Sequence, residues 1–338
     1  ELRFDNQPAD LAAVERITQH LISRGPDACG FNSQGPVALG HRRLKIMDLC
    51  EASGQPMIDS ALGLSMVFNG AIYNYPELRA ELEALGYSFF SEGDTEVLLK
   101  GFHAWGEALL PRLNGMFAFA IWQRDTQELF IARDRLGIKP LYLSKTGDRL
   151  RFASALPALL KGGDIAGVLN PVALNHYMSF HAVVPAPDTL IAGIEKLPPG
   201  TFMRVDATGK SSQQRWWTLE FGAREDEQNY SFEDWQERTL ATLRQSVAMR
   251  QRAAVDVGVL LSGGVDSSLV VGLLAELGQT GLQTFSVGFE AANQEKGDEF
   301  VYSDLIAKHY GTDHHQIKFC CHCCLLLGLP LLCAGRKD

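Results

Sequence analysis

The chain has 338 residues, of which 46% are hydrophobic and 21% are charged, and its formal net charge is −9 at pH 7. This balance is typical of a globular protein with a sizeable core and excludes a largely disordered chain. An acidic chain without basic runs is a poor candidate for binding nucleic acid or a membrane surface, so we expect neither partner. No apolar run reaches the roughly 18 residues that a membrane-spanning helix needs. The length favours two domains.

The seven cysteines are unevenly distributed. Cys29 and Cys50 stand alone in residues 1–319, whereas five cysteines crowd residues 320–338. A low cysteine content in the body of the chain, without a secretory signal, predicts a cytoplasmic protein. The cysteines around His322 have C-x₂-C spacing, but no second ligand pair follows at a fitting distance. We therefore predict an aberrant Cys- and Leu-rich tail at 320–338, with a zinc site as the weaker alternative.

The first part of the chain is rich in strand and turn signals, with helices between them. One helix is predicted from Asn74 to Gly86, because Asn74 can cap it and Gly86 can end it, and a second begins near Asp94. Asn69-Gly70 is typical of a turn. Predicted strands cover residues 65–68, 117–122, 129–132, 141–143 and 150–152. We predict a layered α+β domain over residues 1–205.

The pattern of predicted elements changes after a Pro- and Gly-rich stretch at 185–215. From residue 206 to 319, strands and helices alternate, which indicates a parallel sheet with crossover helices. The predicted helices cover 232–250, a segment from about 268, and 299–310. The predicted strands cover 255–261, 283–287 and 315–319. This second domain is predicted to be α/β.

The sharpest motif runs from Leu261 to Ser268, Leu-Ser-Gly-Gly-Val-Asp-Ser-Ser, between a predicted buried strand and a helix. Adjacent glycines let phosphate oxygens approach the backbone, and the N–H groups at a helix N-terminus attract anions. A tight structural turn is the alternative. The loop lacks the lysine of a Walker A motif. Candidate nucleotide ligands in the loop are Ser262, Gly263, Gly264, Asp266, Ser267 and Ser268.

This loop resembles the pyrophosphate loop of the N-type ATP pyrophosphatases, an adenine nucleotide α-hydrolase-like fold. The resemblance implies that ATP is split into AMP and pyrophosphate while a substrate carboxylate becomes an acyl-adenylate. It also implies that Leu261 and Val287 lie near the nucleotide, although both are equally ordinary as core residues. Asp266 is a candidate ligand for Mg²⁺, which is expected to accompany ATP.

Six further motifs stand in order before this loop: Ser23–Asp27, His41–Ile46, Asn69–Asn74, Gly93–Glu96, Leu113–Ala118 and Ala132–Tyr142. Together they resemble the class II, Ntn-type glutaminase domain of the glutamine-hydrolysing asparagine synthetases. The resemblance spans residues 1 to about 318. It implies a ligase that transfers ammonia from glutamine to an activated carboxylate.

The resemblance also implies roles for individual residues. Arg43 would hold the α-carboxylate of glutamine through a bidentate contact, with a surface ion pair as the alternative. Asp94 would bind the α-ammonium group, and it can equally cap a helix. The side chain of Asn69 and the N–H of Gly70 would form the oxyanion hole. The remaining expected glutamine-binding residues are Leu44, Lys45, Ile46, Met47 and Ala71.

The sequence departs from this family in several places. The nucleophile of the family is an N-terminal cysteine in the motif Cys-Gly-Ile-x-Gly, and Glu1 resembles the residue that follows that motif. We therefore expect this chain to show no glutaminase activity alone. Ala71 replaces a usual glutamate, and Ala155 and Pro157 replace a usual glutamate and lysine. These changes favour a sister branch, such as the N-acetylglutaminylglutamine amide synthases.

The acceptor carboxylate is accordingly aspartate or an acyl-peptide, and a homodimer is compatible with the sequence. The family pattern stops near Phe319, so the synthetase domain is expected to be incomplete. Two alternatives stay open. One is a β-lactam-synthetase-like cyclisation with a dead glutaminase site, and the other is a non-catalytic truncated remnant.

Overall fold

The computed structural model describes residues 1–222, 227–289 and 300–319. It divides into a first unit, Glu1–Gly222, and a second unit that follows. The predicted tail at 320–338 lies outside the described residues. Among those residues, no helix combines the length and the apolar character needed to cross a membrane.

Two six-stranded sheets form the first unit. Sheet A has the order β10-β8-β9-β1-β3-β2, and sheet B has the order β12-β11-β7-β6-β5-β4. The strands of sheet A are β1 (Leu2–Arg3), β2 (Ala28–Gln34), β3 (Val37–Arg43), β8 (Tyr142–Thr146), β9 (Arg149–Ala153) and β10 (Glu195–Lys196). The strands of sheet B are β4 (Met57–Asp59), β5 (Leu64–Ile72), β6 (Gly115–Gln123), β7 (Glu128–Arg133), β11 (Thr201–Asp206) and β12 (Ser211–Arg215).

Helices cover the outer faces of both sheets. The helices of this unit are α1 (Leu11–Gln19), α2 (Tyr75–Ala84), α3 (Asp94–Trp105), α4 (Leu156–Leu160) and α5 (Pro171–Ser179). Short 3₁₀ turns occupy Ile22–Arg24, Glu51–Ser53 and Gly106–Arg112. The apolar faces of α2 and α3 pack on sheet B, and α1 and α4 pack beside sheet A. The predicted layered α+β domain is confirmed.

Strand β6 shows why the apolar runs lack polar alternation. Phe117 and Phe119 pack toward the helices α2 and α3, whereas Ala118 and Ala120 pack between the two sheets. Because successive side chains point to opposite faces, a strand buried on both faces reads as a continuous apolar run. Strand β6 is therefore buried on both faces, by the helices on one side and by the core between the two sheets on the other.

The structure corrects two expectations for this unit. Asn69-Gly70 is not a turn but lies within β5, which pairs with β6 from Leu64 to Ile72. Backbone hydrogen bonds along this long antiparallel ladder override the local turn preference of Asn-Gly. The unit also continues past 205 to Gly222, because β12 forms a hairpin with β11 and extends sheet B.

The second unit contains a parallel sheet of three described strands in the order β13-β14-β15. Its elements are α6 (Phe232–Arg250), β13 (Val259–Leu260), α7 (Val265–Glu276), β14 (Gln283–Phe289), α8 (Phe300–Tyr310) and β15 (Asp313–Phe319). The predicted strand–helix alternation and parallel pairing are confirmed. The strand predicted at 255–261 is shorter than expected, since β13 covers Val259 and Leu260.

Candidate active site

The two sheets of the first unit face each other at the end of β3. Val37 and Leu39 belong to the inter-sheet core. The two-residue repeat of a strand therefore places His41 and Arg43 on the same face, toward sheet B. From sheet B, Val67 packs in that core, so Asn69 also faces the inter-sheet space. His41 and Asn69 line one cavity of about 120 Å³.

Arg43 is buried and held by the loop that follows it. Its Nη1 donates to the carbonyl of Cys50 at 2.8 Å, and its Nη2 donates to the carbonyl of Asp48 at 2.7 Å. Arg43 is therefore held by backbone carbonyls rather than by the surface ion pair that was its alternative role. A guanidinium has five N–H donors, so a braced Arg43 keeps donors for a carboxylate. Its buried, fixed plane suits bidentate recognition of an α-carboxylate.

Asn69 carries a buried side-chain nitrogen, Nδ2, that has no hydrogen-bond partner within residues 1–222 as the structure describes them. A buried unpaired donor costs free energy, about 1–3 kcal/mol, unless a ligand satisfies it. An unpaired buried donor of this kind is typical of a preorganised site that stabilises negative charge as it develops in a transition state. This placement fits the oxyanion-hole role that the sequence implied for Asn69.

Gly70 is half-buried and lies on the edge of β5 that continues past the end of its pairing with β4. Strand β4 pairs with Leu64–Met66, and beyond Met66 no strand among the described residues pairs with that edge. The N–H of Phe68 donates instead to Gln55 Oε1 at 2.6 Å, and the N–H of Ile72 donates to Asp94 Oδ2 at 2.9 Å. Alternate residues of a strand present their N–H groups on the same edge, so the Gly70 N–H lies between these two.

Glycine is required at this position. A Cβ on Gly70 would come within 2.2 Å of the Met116 carbonyl oxygen and 2.9 Å of the Phe117 Cα. These contacts are with the backbone of the neighbouring strand, which cannot move aside. The close approach of β5 and β6 therefore explains why the second residue of the Asn-Gly pair has no side chain.

Asp94 begins α3 and is 4% exposed. Burial raises the pKa of its carboxyl group to about 6, although backbone N–H donors, including that of Ile72, oppose the rise. At neutral pH the carboxylate is ionised within a poorly solvated environment. A buried carboxylate of this kind is a strong partner for an ammonium group.

Asp48 connects Arg43 to the start of α3. Its backbone carbonyl accepts from Arg43, and its Oδ2 accepts from the hydroxyl of Ser53 and from the Glu92 N–H at 3.2 Å. Gly93 packs against it so closely that a Cβ there would lie 2.9 Å from the Asp48 Cβ. Consecutive contacts thus connect Arg43 through Asp48 to the start of α3, and Asp94 to Ile72 on β5.

The loop after β3 contains the other predicted glutamine-binding residues. Leu44 is 51% exposed and Ile46 is 41% exposed, while Met47 is half-buried. The Lys45 N–H donates to Asp27 Oδ2 at 2.8 Å, and its ammonium pairs with Glu51. These contacts fix the loop, and neither Leu44 nor Ile46 is held in the core. Ala71, by contrast, is buried within β5.

The loop that is predicted to bind a nucleotide lies between β13 and α7 of the second unit, which agrees with its predicted position between a strand and a helix. Gly263 has φ +81°, and a Cβ on it would lie 2.5 Å from the Tyr302 Cβ. The Ser262 hydroxyl lies 3.1 Å from that of Ser267 and accepts from the Gly264 N–H at 3.3 Å. Gly264 is the N-cap of α7. The loop thus combines a glycine conformation with a helix N-terminus.

Ser268 and Asp266 occupy the first turns of α7. The Ser268 hydroxyl is buried without a hydrogen-bond partner in the part of the chain that the structure describes. This orphaned donor, next to the helix N-terminus, fits an anionic ligand. Asp266 is exposed, and no cluster of three metal-ligating side chains occurs among the described residues. Mg²⁺ with ATP needs only one or two carboxylates plus phosphates, so Asp266 fits that role.

Leu261 and Val287, the two remaining predicted nucleotide ligands, lie in different environments. Leu261 is 1% exposed and packs in the core of the unit with Val271 and Leu274. Its side chain is therefore a core residue, and only its backbone adjoins the loop. Val287 lies on β14 and is 49% exposed, which leaves its surface open to a ligand.

Three polar residues beside Arg43 and β5 have no role predicted from the sequence: His41, Asp48 and Gln55. His41 was part of a recognised motif, and that was its only signal. Asp48 and Gln55 lie in an irregular loop, where periodicity gives no information about partners. Their roles depend on tertiary contacts to Arg43 and Phe68.

Comparison with known families agrees with this geometry. Residues 2–217 match the family described as glutamine amidotransferase domain, and residues 238–320 match the family described as asparagine synthase. A solved glutamine phosphoribosylpyrophosphate amidotransferase from B. subtilis, at 18% identity, covers 84% of this chain and 77% of its own with a TM-score of 0.42. The family assignment therefore rests on the sequence matches.

Curated relatives match most of the chain. Asparagine synthetase [glutamine-hydrolyzing] 1 of Bacillus subtilis is 38% identical over 278 residues, which are 82% of this chain and 43% of the relative. Asparagine synthetase [glutamine-hydrolyzing] 3 of the same organism is 31% identical over 90% of this chain and 50% of the relative. Amidase chry2 of Gibberella zeae is 30% identical over 90% of this chain and 46% of the relative.

The chain thus spans about half the length of the curated relatives it matches. The order of the two matched regions is the order of the two units in the structure. The chain belongs to the family described as glutamine amidotransferase domain, and this match is followed by a region that matches the family described as asparagine synthase.

Proposed function

We propose that the first unit hydrolyses glutamine between its two sheets. The observation that carries this proposal is the series of contacts that connects Arg43 through Asp48 and Asp94 to Ile72, on the strand that also contains Asn69 and Gly70. Arg43 binds the α-carboxylate of glutamine and Asp94 binds its α-ammonium. The side-chain amide is then held toward Asn69 Nδ2 and the Gly70 N–H.

The direction of β1 supports this placement. Leu2 pairs with Val37 in antiparallel register, and its side chain packs in the inter-sheet core. If Glu1 follows the family motif directly, the motif's cysteine would stand six residues before Leu2, an even number. A strand continued back in register would reach the level of Arg43, the last residue of β3, with the cysteine side chain on the inter-sheet face.

The chemistry follows from these positions. The cysteine thiolate attacks the γ-carbonyl carbon of glutamine, its proton having passed to the α-amine of the same residue. Asn69 and Gly70 donate to the oxyanion that forms. The C–N bond then breaks and ammonia leaves with that proton. Water hydrolyses the resulting thioester to glutamate and restores the thiol.

We propose that the second unit activates a carboxylate with ATP. A carboxylate oxygen of the substrate attacks the α-phosphorus, and pyrophosphate leaves toward the Ser262–Ser268 loop. Ammonia then attacks the acyl carbon of the adenylate, and AMP leaves as the amide forms. The substrate is aspartate or the carboxylate of an acyl-peptide. Mg²⁺ bound through Asp266 would neutralise phosphate charge.

A cytoplasmic location belongs to the same proposal, because the body of the chain has few cysteines and uses none in a disulfide among its described residues. The buried, unpartnered Asn69 donor and the braced Arg43 argue against a dead glutaminase site. A site released from glutamine binding has no physical need to keep either.

The experiment is a glutamate-release assay on the full-length gene product, with the codons upstream of Glu1 read first. Met-Cys-Gly there, together with glutamate release from glutamine, supports the proposal. The Arg43→Gln variant should lose release, whereas Arg204→Gln, a matched surface arginine paired with Glu107, should retain it. A residue other than cysteine at that position, with ATP converted to AMP and no glutamate formed, would favour the cyclising alternative.

A further inference from the structure

Phe68 stands immediately before Asn69 on the open edge of β5, and both polar groups of its peptide backbone are bound by side chains. Its N–H donates to Gln55 Oε1 at 2.6 Å. Its carbonyl lies 3.1 Å from His41 Nε2. In the neighbouring stretch of β5, from Leu64 to Met66, β4 occupies this edge. Two side chains therefore replace a strand where β4 has ended.

The hydrogen bond from His41 defines its tautomer. A carbonyl oxygen can only accept, so Nε2 carries the proton and donates to Phe68. Burial lowers the pKa of His41 to about 4, with the nearby Arg43 charge acting in the same direction, so the ring is neutral at neutral pH. A neutral imidazole has one donor, and this donor is committed to the Phe68 carbonyl.

We propose that His41 and Gln55 form a clamp on the Phe68 peptide that positions the oxyanion hole of Asn69 and Gly70. The inference rests on the proposed glutaminase function. An antiparallel edge without a partner strand can shift, whereas a peptide held at both N–H and C=O cannot shift without losing a hydrogen bond. Neither clamp residue touches the reacting amide, so both are positioning residues.

The consequence is a separation between catalysis and substrate binding. The α-carboxylate and α-ammonium of glutamine are recognised by Arg43 and Asp94, which do not depend on the Phe68 carbonyl. Loss of the clamp should therefore lower kcat and leave KM for glutamine nearly unchanged. A displaced oxyanion donor costs less than a deleted one, whose loss lowers kcat by roughly 10²–10³.

The test compares variants that keep or remove each hydrogen bond in the full-length gene product. In His41→Leu and Gln55→Leu the hydrogen bond is lost, and kcat for glutamate release should fall about tenfold. In His41→Gln the side-chain amide can still donate, and in Gln55→Glu the carboxylate can still accept, so both should retain most of kcat. His20→Leu, at the exposed C-cap of α1, is the matched control.

A second readout separates positioning from folding. The aldehyde analogue of glutamine forms a tetrahedral adduct with a thiol, so its inhibition constant reports the oxyanion hole, whereas that of glutamate does not. The clamp predicts weaker inhibition by the aldehyde in His41→Leu, with unchanged inhibition by glutamate. Equal losses for both compounds, or kcat values like wild type, would overturn the clamp. A wild-type protein without glutamate release would instead overturn the proposed function.

Discussion

The N–H of Ile72 donates to Asp94 Oδ2 at 2.9 Å, and this bond joins the edge of β5 to the first residue of α3. It connects Asp94, the predicted ammonium ligand, to a residue that follows Gly70, a predicted oxyanion donor, by two positions. The bond also leaves the Asp94 carboxylate buried beside a backbone donor. Burial thus raises the pKa of the Asp94 carboxyl group, and the hydrogen bond from Ile72 lowers it.

Asp94 should make glutamine binding depend on pH. Because burial raises the pKa of its carboxyl to about 6, the free site loses its negative charge as the pH falls through that value. KM for glutamine should then rise by up to about tenfold for each pH unit below 6, because the ionised fraction of Asp94 falls by that factor. In Asp94→Asn, KM should be high and flat between pH 5 and 8. A wild-type KM that is constant over this range would contradict the assignment.

The same residue should reduce stability at neutral pH. Its folded-state pKa of about 6 lies above the ordinary 3.8, so the folded protein binds this proton more tightly than the unfolded chain does. The resulting stabilisation is complete below about pH 3.8 and is lost as the pH rises through about 6. Asp94→Asn should therefore raise the free energy of unfolding at pH 8, by ~3 kcal/mol. Urea unfolding of both proteins at pH 5 and pH 8 measures the difference, which should be smaller at pH 5.

Arg43 should not be replaceable by lysine. The guanidinium donates to the carbonyls of Cys50 and Asp48 while it faces the inter-sheet space, and an ammonium cannot reproduce that planar set of donors. KM for glutamine in Arg43→Lys should rise at least tenfold, with a smaller change in kcat. Arg204→Lys, on the surface of sheet B, should behave like wild type in the same steady-state assay. Near-normal KM in Arg43→Lys would show that the α-carboxylate binds elsewhere.

The sequence was informative where local pattern and family motif agree. The apolar runs of β6 and β7 predicted buried strands, and the alternation after residue 232 predicted the parallel sheet. Asn69-Gly70 was predicted as a turn because local preference favours one, whereas pairing with β6 keeps both residues in a strand. The contacts of His41 and Gln55 with Phe68 join residues from three separate segments, and no local pattern contains that information.

The buried pair Glu96–Lys100 should be worth much more than a surface pair of the same spacing. Glu96 is fully buried and also accepts from the N–H groups of Phe90 and Ser91, so the loop before Asp94 depends on it. Burial alone would raise the pKa of Glu96, but Lys100 and these donors bring it below its ordinary value. Removing one partner of a buried pair leaves an uncompensated charge and costs roughly 3–5 kcal/mol.

Glu83→Ala is the matched control for Glu96→Ala, because Glu83 pairs with Arg79 at the same i,i+4 spacing on an exposed helix face. The control should lose under about 1 kcal/mol of unfolding free energy. Urea titration gives both values. Equal losses in the two variants would show that the buried network does not hold the loop.

The nucleotide loop should tolerate no side chain at Gly263. Gly263 and Gly278 both have left-handed φ values, +81° and +83°, so alanine strains the backbone at either position. A Cβ at Gly263 would also lie 2.7 Å from the Ser303 N, whereas one at Gly278 meets nothing within 4 Å. The two substitutions therefore share the conformational cost and differ in crowding against α8. Gly263→Ala should weaken ATP binding at least tenfold, and Gly278→Ala should leave it within twofold, as measured by calorimetric titration. Similar ATP affinities in both variants would show that the loop conformation does not form the nucleotide site.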